Sequence, residues 1–171
     1  MDIADFKLLA QYNIWATQRL SSSLSTISDD DFYRDCGLFF KSISGTLNHL
    51  LVGEHYLWFP RFESGTSPQL ALNHILHAER QTLLNDLNMR TKNWLYFLDH
   101  LKPERLRSDL SYTSTNGQSI CLPFSDVLLH VFNHGTHHRG QITASLSAMG
   151  YPCPELDLIY MLLEQSTNDV N

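Results

Sequence analysis

The run His130-Val-Phe-Asn-His134-Gly-Thr-His137-His138-Arg139-Gly140-Gln141 places four histidines within nine residues. At 3.6 residues per turn, positions four apart sit about 40° from vertical alignment on an α-helix. His130, His134 and His138 therefore form one slowly drifting column, with His137 beside it. Neutral imidazole is the commonest protein ligand for transition metals, and His-x-x-x-His on one helical face lets two rings grip one ion. Stacked neutral imidazoles without an ion would each need a buried partner for an N–H group. The run thus predicts a long helix with a metal site on its inner face.

That helix is predicted from Pro123 or Phe124 to Met149. Proline suits a first turn, and Gly150 and Pro152 stop the helix. Ahead of it, Asn116-Gly117 is a hairpin-turn dipeptide flanked by Leu110, Tyr112, Ile120 and Leu122, which predicts a two-stranded excursion over Asp109–Cys121. Apolar residues at three- and four-residue steps predict three earlier helices: Asp2–Ser23 with Asp2 as N-cap, Ser42–Glu63, and Leu72–Leu101 ended by Pro103. Pro60 lies late in the second and is expected to kink or end it. Ser25 to Asp35 reads as a connection, Ser64–Pro68 as a loop, Glu155–Glu164 as a short closing helix and Ser166–Asn171 as a frayed tail. Four long helices and one hairpin, without internal repeats, give an all-α four-helix bundle forming one domain over residues 1–171. The long connections between helices 1 and 2 and between helices 3 and 4 fit a topology with crossovers.

The 171 residues can bury a substantial core, and 43% hydrophobic content is ordinary for a folded chain. Net charge is −6 with no basic stretch, which disfavours nucleic-acid binding through phosphates. No run approaches the ~20 apolar residues of a membrane span, and the acidic start Met1-Asp2-Ile3-Ala4-Asp5 lacks a positive leader region. Cys36, Cys121 and Cys153 are odd in number and widely spaced, reading as small buried residues in a reducing compartment. A cytoplasmic protein is the expectation.

A bundle builds metal sites from side chains on facing helices, so a third ligand is needed beyond the last helix. His49 is the best supplier, because Leu47, Leu50 and Leu51 place it close to an apolar face. His55 points away from it, six residues being roughly 240° of net rotation. His74, His77 and His100 read as surface residues.

The histidine run resembles the hallmark of the DinB-like family, damage-inducible bacterial proteins related to YfiT-type metalloenzymes. Tyr12-Asn13-Ile14-Trp15-Ala16 resembles that family's first-helix motif, Thr46-Leu47-Asn48-His49-Leu50-Leu51 its second-helix histidine motif, and Gly150-Tyr151-Pro152 with Leu156-Asp157 its C-terminal segment. The resemblance covers essentially the whole chain. It implies an up-down-down-up bundle, usually a homodimer, with a divalent ion, nickel or zinc, held by His49, His134 and His138. His130 then belongs to the pocket, with fourth ligand as its rival role, and His137 to the pocket rim or the helix packing. Asp126 is expected to accept a ring N–H from His130. Arg139 and Gln141 read as helix-packing residues, and Gly140 as a point of close helix approach.

Three neutral ligands leave a divalent ion an open position, unlike the closed four-ligand structural zinc site. The expected activity is a metal-dependent hydrolase or a thiol-dependent transferase acting on a small molecule, with water or a low-molecular-weight thiol activated at the ion. The thiol option comes from the resemblance. Glycine at 135 replaces the glutamate of H-E-x-x-H, so zincin chemistry is not expected. His130 and His137 are the candidate catalytic residues, and Glu54 is a further candidate base. The alternative is a non-catalytic metal-binding or stress-response protein whose ion mainly holds the bundle together.

Overall fold

The computed structural model describes residues 1–168 and opens on a capped helix, α1 (Ile3–Leu24). Asp2 accepts from the backbone N–H groups of Ala4 and Asp5, while Asp5 accepts from that of Asp2, a reciprocal capping box. The expected connection after α1 contains a short helix, α2 (Asp29–Tyr33), which buries Phe32 completely. Next comes one continuous rod: α3 (Ile43–Leu50), a π-helical stretch (Leu51–Trp58) and α4 (Phe59–Glu63). The rod does not end at Pro60 but runs through it to Glu63, with Pro60 in the first turn of α4, directly after the π-helical stretch. Helix α5 runs Arg80–His100, followed by a 3-10 turn (Pro103–Arg107). Strands β1 (Asp109–Thr113) and β2 (Ser119–Pro123) pair antiparallel with Tyr112 opposite Ile120, turning at Gly117 with φ 83°. Helix α6 (Phe124–Ala148) starts directly from β2, and α7 (Leu158–Asn168) closes the described chain. Ser166 and its neighbours are thus helical rather than frayed. The last three positions of the expected tail, 169–171, lie outside the described residues.

Two apolar clusters fix the helix directions. One joins Leu20 and Leu24 of α1 to Ile43 and Leu47 of α3, Leu83, Leu84 and Leu87 of α5, and Ile142 and Leu146 of α6. The other joins Phe6 and Ala10 to Phe62, Trp94, Leu98, Phe124 and Leu128. The end of α1 thus lies with the starts of α3 and α5 and the end of α6, an up-down-down-up order. Because the second and third long helices run the same way, residues 64–79 must travel back along the bundle between them.

This return segment replaces the first eight residues of the helix predicted from Leu72. Its backbone is held by Asn48, which is fully buried on α3. The Asn48 side-chain oxygen accepts from the N–H groups of Leu76 and His77, at 2.9 and 3.0 Å, and its amide donates to the His77 carbonyl at 3.0 Å. Glu79 then caps α5 by accepting from Gln81 and Thr82. The connection that crosses over is therefore the one between the second and third long helices. The connections expected to be long, between helices 1 and 2 and between helices 3 and 4, are long, but neither is the crossover; residues 72–79 do not betray that their hydrogen bonds go to a distant side chain.

Wrapped on both sides, the rod is buried around its whole girth at the π-helical stretch, where Leu51 to His55 are all buried. π-Helical turns are rare and occur often at functional sites. His77 pairs with Asp86 at 2.9 Å, and His74 and His100 are exposed, as surface residues should be. The three cysteines are free thiols, but Cys36 is only half-buried, and Cys121 and Cys153 are exposed rather than in the core. No helix among the described residues is long and apolar enough to cross a membrane.

Two predictions follow the packing. Asn48→Ala removes the partner of half-buried backbone groups of the return segment and should cost roughly 1–3 kcal/mol, read from urea midpoints. His55 is buried with neither ring nitrogen hydrogen-bonded. Burial lowers its pKa to about 4, against an opposing pull from Glu54. An imidazole whose folded value lies below its unfolded value of about 6.5 takes up a proton first in the unfolded chain. Stability should therefore fall as pH drops from about 6.5 towards 4. In the His55→Phe protein that slope should be shallower by about one proton, measured by denaturation across the same range.

Candidate metal centre

His49, His134 and His138 meet between α3 and α6, each offering a nitrogen within 4.8 Å of the other two. The Nε2 atoms of His49 and His134 are 3.0 Å apart. Ligand bonds of about 2.1 Å allow nitrogens on one ion to lie up to about 4.2 Å apart, so small ring rotations bring all three onto a common centre. The 40° drift per step along α6 sorts its histidines by depth: His130 is exposed at the edge, His134 half-buried and His138 buried.

The outward nitrogens decide which atoms face inward. His49 Nδ1 is 2.9 Å from the carbonyl of Leu72 on the return segment, and His138 Nδ1 is 2.7 Å from Gln141 Oε1. Both contacts require an N–H at Nδ1 and so leave Nε2 with a free lone pair. Gln141, read from sequence as a packing residue, instead orients a ring. Burial, with the neighbouring His134 adding to it, lowers the pKa of both His49 and His138 to about 4. They are therefore neutral near pH 7, the form in which imidazole binds metals.

Behind His134 lies Glu54, only 2% exposed. Its Oε1 and His134 Nδ1 are both buried without a hydrogen-bond partner, and they face each other at 3.9 Å. Burial raises the Glu54 carboxyl, but His134, His55 and Arg139 outweigh this and hold it below its ordinary value. Asn13 of α1 donates to Glu54 Oε2 at 3.2 Å and accepts from Arg139 Nη1. Arg139 is thus the buried counter-charge of Glu54 rather than a plain packing residue. A carboxylate behind a metal-bound imidazole fixes its tautomer and raises its basicity. The orphaned Glu54–His134 pair therefore fits a cation on the far side of the ring. Glu54 is hidden from the cleft in front of that ring, which separates it from the role of base.

The cleft, of about 240 Å³, is lined by His49, His134, His130, Trp58, Arg61 and Tyr112, together with Ser114 and Thr115 of the hairpin. The His130 ring packs edge-on to Trp58, with centroids 5.5 Å apart. Asp126 does not hold His130 as expected; its carboxylate meets Ser125 instead. His137 is exposed and stands beside His138 outside the cleft lining. Phe40 stacks on His49 at 3.8 Å between centroids and covers its outer face, a contact between distant segments that no local motif signals.

The close approach expected of Gly140 belongs to Gly135. A Cβ at Gly135 would meet Glu54 Oε1 at 2.6 Å and Arg139 Nη1 at 2.9 Å, whereas one at Gly140 meets nothing within 4 Å. Gly135→Ala should destabilise by about 1–3 kcal/mol through overpacking of this network, while Gly140→Ala, on an exposed helix position, should stabilise by up to about 1 kcal/mol. Thermal midpoints of the two variants should move in opposite directions.

Comparison with known proteins agrees with this architecture. The chain is 29% identical over 172 residues to Protein DinB of Bacillus subtilis (strain 168), covering 96% of this chain and 98% of that protein. Its fold matches that of YfiT from Bacillus subtilis with a TM-score of 0.63, at 18% identity, over 84% of this chain and 87% of the other. YfiT is described as a probable metal-dependent hydrolase with an unusual four-helix bundle topology. The model of the DinB family matches residues 2–168, which include all three converging histidines and the Asn13–Glu54–Arg139 network behind them: the chain belongs to the DinB family.

Proposed function

We propose that this protein is a divalent-metal-dependent enzyme of the hydrolase type, with His49, His134 and His138 holding the ion. The observation that carries this reading is the convergence of three imidazole nitrogens beside a cleft, with two rings anchored from behind and the third backed by a carboxylate. Among the described residues no further His, Cys, Asp or Glu joins the cluster, which leaves coordination open towards the cleft. The description of YfiT as a metal-dependent hydrolase supports the same class. Imidazole donors suit nickel and zinc.

An ion with such an open position lowers the pKa of water towards neutrality or deprotonates a thiol outright. The chain's own residues do the rest. The three neutral ligands leave the positive charge unquenched. Phe40 keeps water from the outer face of His49. His130 lines the cleft beside His134 and is the residue assigned to take or return a proton. A thiol-dependent transferase is the second reading. It is supported by the cleft lining, which holds no carboxylate among the described residues, because a coordinated thiol needs no separate base.

Protein purified without an affinity tag should bind one Zn²⁺ or Ni²⁺ per chain. His49→Ala, His134→Ala and His138→Ala should each abolish retention of the ion on dialysis. Glu54→Gln and Gln141→Leu should weaken binding by about 10–100-fold. Chelation should abolish ester hydrolysis and thiol conjugation alike, with the far-UV helical signal kept. A loss of helix on chelation would support instead an ion that holds the bundle together. Full metal content in all three histidine variants would end the assignment.

A further inference from the structure

Helix α4 carries a buried cation that the metal centre does not use. Arg61 is 4% exposed, and among the described residues it forms no ion pair with a carboxylate. Its guanidinium carbon lies 4.5 Å from the Trp58 ring centroid and 4.7 Å from that of Tyr112. Nη2 donates to the Thr113 carbonyl at 3.1 Å, and Nε is buried with no hydrogen-bond partner among the described residues. Two half-buried arginines seated over rings do have a carboxylate partner: Arg80 binds Asp29, and Arg90 binds Asp86. Aromatic faces and one carbonyl offset only part of the cost of removing a guanidinium from water. A buried charge is normally paired, and Arg61 lines the same cleft as His49, His134 and His130.

We propose that Arg61 is the anchor for a carboxylate on a small substrate, whose far end reaches the open side of the His49–His134–His138 cluster. The second half of this statement rests on the metal reading above; the first does not. Guanidinium is planar and matches the geometry of a carboxylate. A phosphate dianion calls for more donors than Arg61 and the Thr115 hydroxyl, since the Ser114 hydroxyl is engaged with Asn116 and Gln118. The cleft, at about 240 Å³, is smaller than the pockets of about 300–1,000 Å³ that take drug-sized ligands, so the substrate is of small-metabolite size. The hairpin acquires a purpose: Thr113 orients the guanidinium, and Tyr112 with Trp58 confines it.

The test uses 3-mercaptopropionate, the matched neutral thiol 3-mercaptopropan-1-ol, and inorganic phosphate. In metal-free, arginine-labelled protein, the Arg61 Nε–H resonance should shift saturably with the carboxylate probe and not with the alcohol. In cobalt-loaded protein the sulfur-to-cobalt absorption band should appear about tenfold or more lower in concentration for the carboxylate than for the alcohol. Arg61→Gln should erase that preference at unchanged cobalt content, with Arg61→Lys retaining part of it. Equal responses to the two thiols in the wild-type protein would overturn the anchor, while a cobalt band with both would leave the metal reading standing. A carboxylate-dependent Arg61 shift with no cobalt band would uphold the anchor and remove the metal reading. Phosphate shifting Arg61 at lower concentration than the carboxylate would overturn the choice of ligand class.

Discussion

Three imidazoles can share one cation only if their outward nitrogens are dealt with separately, and in this chain each faces a different acceptor. His49 is aimed by the Leu72 carbonyl, His138 by Gln141 on its own helix, and His134 by the carboxylate of Glu54. The first of these depends on topology. Because the second and third long helices run in the same direction, the chain must return along the bundle between them, and the return segment passes over α3. Asn48 fastens that segment, which brings the Leu72 carbonyl to His49. The pairing of Thr113 N–H with Ser67 joins the same segment to the hairpin, closing the cleft from the other side. The unusual helix order is therefore part of the site, because it supplies an acceptor that a simple up-and-down bundle lacks.

Glu54 and Arg139 are the costlier element. Two opposite charges buried together seldom stabilise a fold more than apolar residues would, so their retention here is best understood through His134. The pair spans three helices, with Asn13 bridging the carboxylate and the guanidinium. Gly135 opens the space they occupy, since any side chain there would strike both groups. The first-helix motif gains a physical account in the same way. Tyr12 donates to the Leu156 carbonyl, Asn13 bridges the buried charges, and Trp15 donates to Glu164. A histidine motif on one helix is thus supported by polar residues on two others.

Much of this was legible in the chain. The helix-forming periodicities, the Asp2 cap, the Asn116-Gly117 turn and the shared helix face of His134 and His138 all rest on local spacing, and the structure keeps them. Residues 72–79 look helix-competent and Arg139 looks like a packing residue because their partners are far away in sequence: Asn48 reaches residues 28 and 29 positions away, and Arg139 reaches Asn13 across 126. Gln141 and Asp126 differ from expectation for a local reason, since they meet His138 and Ser125 within one turn. Gly140 and Gly135 sit on one helix and differ only in what lies opposite, which no pattern along a single segment records.

By itself, the order of residues determined the cores of the four long helices, the hairpin turn, and that histidines four apart must share a helix face, because these follow from backbone geometry within a few turns. Only the assembled bundle decided that Glu54 stands behind His134, that Leu72 aims His49, and that Arg61 is left in the cleft without a counter-charge. Those outcomes depend on the fit of whole helices against one another, where the burial of apolar faces fixes the distances and the polar groups must then find partners among whatever residues that packing brings near.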